Sequence, residues 1–191
     1  LVIIGGGYIG IEFASMMTSF GSKVTVVASG PHILDREDPD IAAIYEKSLQ
    51  DRGVTILTDV LAKSGSKQDG VITVELSDGS SVSAEKVLVA AGRIPNTKGI
   101  GLEEAGVTLD QRGFISVDDH LRTNLDGVWA AGDCAGTPMF THASWNDYRI
   151  IREQMDGVSL DDPRTSKAGR LIPWALFAEP ELGRIGLNET Q

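Results

Sequence analysis

The residue types best suited to chemistry stand at the start of the sequence. Gly5, Gly7 and Gly10 follow the apolar run Leu1-Val2-Ile3-Ile4 in a G-x-G-x-x-G spacing. A glycine turn between a strand and a helix suits phosphate, because exposed N–H groups and the positive end of the helix dipole meet the anion there. Gly5 permits the tight turn, Gly7 lets the backbone approach a pyrophosphate, and Gly10 lets the helix pack close to the strand. The spacing alone is a weak signal. Its context is stronger: strand, glycine turn, helix and the second apolar run Val24-Thr25-Val26-Val27 form a βαβ unit of the expected size. A dinucleotide pyrophosphate is the expected ligand, with Ile9, inside the motif, counted in the cradle.

The end of the second strand bears on which dinucleotide. An acidic residue there would accept from a ribose 2′-hydroxyl. Ala28 stands in that place, followed by Ser29. A 2′-phosphate would meet no repelling carboxylate, a hydroxyl donor at Ser29, and cations at Arg36 or His32, so NADPH is favoured over NADH. Arg36 also reads as a solvated arginine paired with Glu37 or Asp38. Glu12, on the first turn of the helix, is by spacing alone a carboxylate placed for the helix dipole. A second motif, Gly127-Val128-Trp129-Ala130-Ala131-Gly132-Asp133, reads as a buried strand ending in Gly-Asp. A carboxylate at that end can accept from a polyol, and Gly132 lets the backbone come close. Alone, the pair also fits an ordinary turn.

The elements that must position these groups follow from periodicity. Ile9, Phe13, Met16, Met17 and Phe20 recur at steps of three and four, which predicts an amphipathic helix closed near Gly21. Asp38 and Pro39 open a second helix with the stripe Ile41, Ile44, Tyr45 and Leu49, ended by Gly53, and Val54–Leu57 gives a third strand. Residues 60–84 alternate, with turn signals at Gln68-Asp69-Gly70 and Ser77-Asp78-Gly79, predicting an antiparallel meander in place of a crossover helix. Lys86–Ala91 returns as a buried strand. Short strands are expected near 114–117 and 127–131, a helix over 143–155, a linker over 156–170, and opening strands of another domain over 171–187.

The chain has 191 residues, 41% hydrophobic and 23% charged, with a formal charge of −10. That charge opposes nucleic acid and anionic membranes as partners, though a helix N-terminus still binds phosphate locally. No apolar run approaches the roughly 20 residues of a membrane span. The one cysteine, Cys134, excludes an internal disulfide, a CxxC pair or a cysteine-rich zinc cluster and reads as a small buried residue. His32, His120 and His142 read as surface or backbone-supporting residues, and no metal site is expected. A cytoplasmic setting fits. The sequence opens inside an apolar run and ends on Asn188–Gln191, which reads as the start of a helix; it is expected to be a piece of a longer polypeptide.

The order GGGYIGIEFA (5–14), AAGRIPNT (90–97), GFISVDDHLRT (113–123), VWAAGDC (128–134) and IPWALFAEPELGRIG (172–186) resembles the class I pyridine nucleotide-disulfide oxidoreductases. That family includes dihydrolipoamide dehydrogenase, glutathione reductase and mercuric reductase. GSKVTVVASG with REDPDI is similar to mercuric reductase, and Phe140-Thr141-His142 with Asn146–Ile150 is similar to bacterial reactive-chlorine-resistance flavoproteins.

The resemblance implies an α/β fold with a Rossmann-like NAD(P)-binding domain at 1–92, built on a parallel sheet with an antiparallel β-meander crossover. It further implies the C-terminal part of an FAD-binding domain at 93–165 and the beginning of a dimerisation domain at 166–191. By the same resemblance Gly5, Gly7 and Gly10 bind the NAD(P) pyrophosphate, Glu12 contacts nicotinamide, and Tyr8 gates the flavin face. Asp133 would bond the flavin ribityl chain, with Gly132 beside it. The backbone of Thr141, His142 and Ala143 would face the pyrimidine edge, and Gly92 and Arg93 would lie at the domain crossover. The full-length protein would be a homodimeric, FAD-dependent oxidoreductase passing hydride from NAD(P)H to FAD and on to a disulfide, metal or oxidant acceptor. Missing here are the first FAD-binding glycine motif, a CxxxxC redox pair and a C-terminal His-Glu pair, so no catalytic residue is expected within the chain. An NAD(P)H oxidase or peroxidase, or a non-catalytic nucleotide-binding module, are the alternatives.

Overall fold

Apolar β-branched residues form the centre of the first half of the chain, where a parallel strand is buried on both faces. In the computed structural model, which describes residues 1–189, β1 (Val2–Ile4), β2 (Thr25–Val27), β3 (Thr55–Leu57) and β7 (Val87–Val89) form a parallel sheet in the order β3-β2-β1-β7. Ile3 pairs in register with Val26 on one side and Leu88 on the other. Val2, Ile3 and Val26 are fully buried; each such side chain contributes roughly 1.5–3 kcal/mol.

The crossovers explain the strand order. Helix α1 (Tyr8–Ser19) links β1 to β2, and α2 (Pro39–Asp51), with Asp38 as N-cap and Pro39 in its first turn, links β2 to β3. The expected meander forms a three-stranded antiparallel sheet of β4 (Ala62–Gln68), β5 (Val71–Leu76) and β6 (Ser81–Ala84). Val74 and Leu76 of β5 join Val2 and Val27 of the parallel sheet in one buried cluster. This crossover therefore covers the sheet as a helix would.

The apolar stripe of α1 does not face inward as its spacing predicts. Gly10, Ile11, Ala14 and Ser15 are the buried residues, whereas Ile9, Phe13 and Met16 are 38–42% exposed and Phe20 is 74% exposed. The contact at Gly10 leaves no room for a side chain, so the helix turns Gly10, Ala14 and Ser15 inward with Ile11 as the one large residue of that face. In α2 the same correction applies to Ile44, which is exposed, while Ala42, Tyr45 and Leu49 are buried.

The chain divides into two compact units, Leu1–Gly92 with Ala175–Gln191, and Arg93–Trp174. In the first, a hairpin of β8 (Trp174–Leu176, from Ala175 onward) and β9 (Leu182–Arg184) supplies the late segment. Tyr45 Oη donates to the Pro180 carbonyl at 2.8 Å and Ser48 Oγ to the Glu179 carbonyl at 2.7 Å, tying that segment to α2. The helix start expected at 188–191 falls partly on Thr190 and Gln191, outside the described residues; Asn188 and Glu189 are not helical.

The second unit is organised by α3 (Thr141–Met155), which begins two residues before the expected 143. The strands expected near 114–117 and 127–131 are reduced to isolated bridges, Leu109 with Ile115 and Arg122 with Trp129. Val128 is 38% exposed, so the run before Gly132 is an extended edge rather than a buried strand. Residues Gly132–Ala135 then turn as a short 3-10 helix. Cys134 is half-buried rather than buried, its thiol directed at the Ala131 carbonyl. Among the described residues no helix is long and apolar enough to cross a membrane.

Candidate functional site

Three glycines at the β1–α1 junction do three different things. At Gly5, φ is +119° and a β-carbon would strike the Ala90 carbonyl of the adjoining strand end. At Gly10, a β-carbon would run into the Gly5 carbonyl oxygen, which fixes how closely α1 approaches the turn. Gly7 differs. It is the N-cap of α1 with φ −78° and ψ −175°, an extended conformation open to any residue, and nothing lies within 4 Å of where its β-carbon would stand. Folding demands glycine at 5 and 10, while at 7 a glycine leaves open space in front of the first-turn N–H groups. Those groups have no intrahelical acceptor. The cradle therefore fits a pyrophosphate.

The loop after β2 packs on this turn. Leu34 N–H donates to the Gly6 carbonyl at 2.8 Å, and Ile33 and Leu34 are buried. Ala28, 2% exposed, closes β2, and Ser29 is exposed beside it. His32 faces Glu46 at 3.7 Å on the surface.

Tyr8 and Glu12, on the first turns of α1, are both held by side chains or amides from distant sequence. Tyr8 Oη donates to Glu37 Oε1 at 2.6 Å. Glu37, its side chain 3% exposed, also takes Arg184 Nη1 at 3.2 Å. Burial first, then the hydrogen bond and charge of Glu37, push the Tyr8 phenol above its ordinary value, while Arg184 and Arg36 pull it partly back. Glu12 Oε1 accepts the Phe177 N–H at 3.0 Å, so this carboxylate is engaged by the chain itself as well as standing near the helix start. Arg36 is exposed, and among the described residues its guanidinium makes no ion pair; the pairing with Glu37 or Asp38 that its neighbourhood suggested does not form.

The second unit holds the other expected residues. Asp133 lies in the 3-10 turn, half exposed, and accepts Arg93 Nη1 at 3.1 Å. Arg93, Asn96, Phe114, Asp133, Cys134 and Met139 are among the residues lining a cavity of about 360 Å³. Gly132 has φ +71°, and a β-carbon there would meet Ser144 Oγ at 2.5 Å, so the turn and α3 are pressed together. Gly92, with φ +132°, ends the first unit. Thr141 and His142 are exposed at the start of α3, with His142 stacked on Phe140, while Ala143 is fully buried. The first-turn amides of α3 have no intrahelical acceptor and offer donors to an electron-rich ring edge. His120 Nδ1 lies 2.8 Å from the Thr165 carbonyl, a backbone-supporting contact.

The sequence reading missed the group that holds the Gly-Asp turn in place. Asp147, in the interior of α3 and 0% exposed, accepts Gly132 N–H at 2.7 Å and Thr137 Oγ1 at 2.6 Å, and it is paired with Arg170. An aspartate mid-helix is intrinsically unfavourable, which was the available signal. Glu37 and Arg184 were missed because their partners lie about 150 residues apart in sequence.

A parallel sheet with a glycine turn at its first strand end, followed by a Gly-Asp turn against a helix, defines an α/β chain with the geometry of a dinucleotide-binding fold. Comparison with known proteins makes this specific. Residues 1–147 match the family described as pyridine nucleotide-disulphide oxidoreductase, and the chain belongs to it. Members are oxidoreductases working with NAD(P)H and FAD.

The chain is 39% identical over 191 residues to a probable pyridine nucleotide-disulfide oxidoreductase, RclA, of Escherichia coli, covering 100% of the chain and 42% of that protein. It is 38% identical to a dihydrolipoyl dehydrogenase of Zymomonas mobilis, covering 99% of the chain and 41% of the relative. Among solved structures, the HOCl-induced flavoprotein disulfide reductase RclA of E. coli superposes with a TM-score of 0.89 at 38% identity, over 100% of this chain and 43% of that one. LpdA of Mycobacterium tuberculosis gives 0.89 at 32% identity, over 99% and 40%. The chain thus spans about two fifths of the length of the curated relatives it matches.

Proposed function

We propose that this chain is the NAD(P)H-binding segment of an FAD-dependent pyridine nucleotide-disulfide oxidoreductase, with NADPH the favoured donor. The observation that carries the reading is Gly7, a glycine the fold does not need, opening free space at a helix N-terminus. Residues 1–92 form the dinucleotide domain, 93–165 the C-terminal part of the FAD domain, and 166–191 the beginning of the dimerisation domain. Gly5, Gly7 and Gly10 with the α1 amides hold the pyrophosphate. Ser29 and Arg36 take the 2′-phosphate past the uncharged Ala28. Glu12, oriented by the Phe177 N–H, stands at the nicotinamide, and Tyr8, held by Glu37, gates the flavin face.

On the flavin side, Asp133 holds the ribityl chain with Arg93 beside it. Gly132 lets the turn pack against α3 so that Asp133 is presented, and the Thr141, His142 and Ala143 amides face the pyrimidine edge. When both cofactors are bound, the dinucleotide supplies a hydride that the flavin accepts. The residues of this chain bind, orient and neutralise charge; they carry no redox pair. The electrons then pass to a disulfide, metal or oxidant acceptor, in a polypeptide expected to be a homodimer. Anaerobic mixing of the longer flavoprotein with NADPH tests the reading. Bleaching of the flavin's visible absorption, slowed in Gly7→Val, supports it. An oxidised flavin that NADPH and NADH both fail to bleach refutes it.

A further inference from the structure

Arg36 stands among three carboxylates, Asp35, Glu37 and Asp38, yet pairs with none among the described residues. Glu37 and Asp38 are held by the late segment of the same unit. Arg184 Nη1 reaches Glu37 Oε1 and Oε2 at 3.2 Å each and the Arg36 carbonyl at 3.3 Å. Asn188 Nδ2 donates to that carbonyl at 3.0 Å, and Glu189 N–H donates to Asp38 Oδ1 at 3.0 Å. Tyr8 Oη adds the last bond to Glu37. Glu37 and Asp38 are thus occupied by groups from 184–189 and from the cradle helix, while Asp35 and the Arg36 side chain are both exposed and form no ion pair among the described residues.

We infer that Arg184 is a specificity-positioning residue: by occupying Glu37 it keeps the Arg36 guanidinium available for the 2′-phosphate of NADPH. The inference rests on the reading of this unit as an NADPH site and deepens it. The physical argument is competition for one cation. Exposed Asp35 gains little by pairing with Arg36, but Glu37, buried without a partner, would capture it; Arg184 is the buried partner that prevents this. Its side chain is 15% exposed and that of Glu37 3%. Electrostatic pairing at such burial is far stronger than at the surface. Arg184 itself need not touch the nucleotide.

The test is calorimetric titration of the 191-residue chain with NADPH and NADH in four forms. In the wild type NADPH binds more tightly. In Arg184→Met, Glu37 captures Arg36, and NADPH affinity falls roughly tenfold, the size of one lost charge-assisted contact, while NADH affinity stays within about twofold. Arg36→Met shows the same selective loss, and Arg184→Met adds nothing to it, since the two act through one contact. In Glu37→Gln/Arg184→Met no buried carboxylate remains to capture Arg36, since Asp35 is exposed and Asp38 stays bonded to the Glu189 N–H, and NADPH preference returns. This form also removes the uncompensated buried charge that could unfold the single variant.

Equal weakening of NADPH and NADH in Arg184→Met, or no recovery in the double variant, overturns the inference while leaving the nucleotide site standing. A wild-type chain that binds both nucleotides without preferring NADPH overturns the NADPH reading instead.

Discussion

A β-carbon at Gly10 would strike the Gly5 carbonyl, whereas one at Gly7 would meet nothing. This contrast separates stability from binding within one motif. Gly10→Ala is expected to destabilise the first unit by about 1–3 kcal/mol, the cost of overpacking a tight contact. Gly7→Ala should leave stability within about 0.5 kcal/mol, as a substitution in open space does. Urea unfolding of the two variants measures the difference, and equal destabilisation would contradict the assignment. Tyr8 gives a second prediction at this scale. Its phenol is pushed above the ordinary value by burial and by Glu37. A raised acid favours its neutral form in the folded state. The stabilising Tyr8–Glu37 bond is therefore kept through about pH 10 and lost only as pH rises beyond the folded value. Spectrophotometric titration of tyrosinate should show Tyr8 still protonated where an exposed tyrosine ionises. Glu37→Gln should bring that ionisation to lower pH; an unchanged curve would mean that Glu37 is not the partner in solution.

At the scale of elements, α3 and the 3-10 turn at Gly132–Ala135 are held together by Asp147. Burying a carboxylate is costly unless it is paired and bonded, and here Gly132, Thr137 and Arg170 all contribute. Asp147→Ala leaves the Gly132 amide without its acceptor and Arg170 without its carboxylate, with only Asn146 and Thr137 to bond, and should cost about 3–5 kcal/mol; a thermal melt within a degree of wild type would contradict this. The parallel strands, the meander and the first glycine turn were legible in the sequence because each is local: an apolar run, an alternation, a glycine spacing; the burial expected of 86–91 was not, since β7 lies at the sheet edge with Val89 70% exposed. The inner face of α1 was not, because the close approach at Gly10 rotates Ile11, Ala14 and Ser15 inward in place of the Ile9–Phe13–Met16 stripe. The strand expected over 127–131 failed for another reason: its run is apolar, but among the described residues it pairs only at Trp129.

At the scale of the whole chain, the formal charge of −10 coexists with a cradle suited to a highly anionic ligand. The two are reconciled by locality, since helix-terminal amides act over a few ångströms while the net charge is screened beyond about 8–10 Å. The motif residues of the cradle were legible because glycine spacing is written in consecutive positions. The groups that orient its neighbours, Glu37 with Arg184 and Glu12 with the Phe177 amide, join residues far apart in sequence and emerge only when the chain is folded.

The central claim, that the β1–α1 turn binds a dinucleotide through Gly7, is tested most directly by calorimetric titration of the 191-residue chain and its Gly7→Val variant with NADPH. The account predicts saturable binding to the wild type and its loss in a variant whose unfolding curve is unchanged. Undiminished binding in Gly7→Val, or none in a folded wild type, would contradict it.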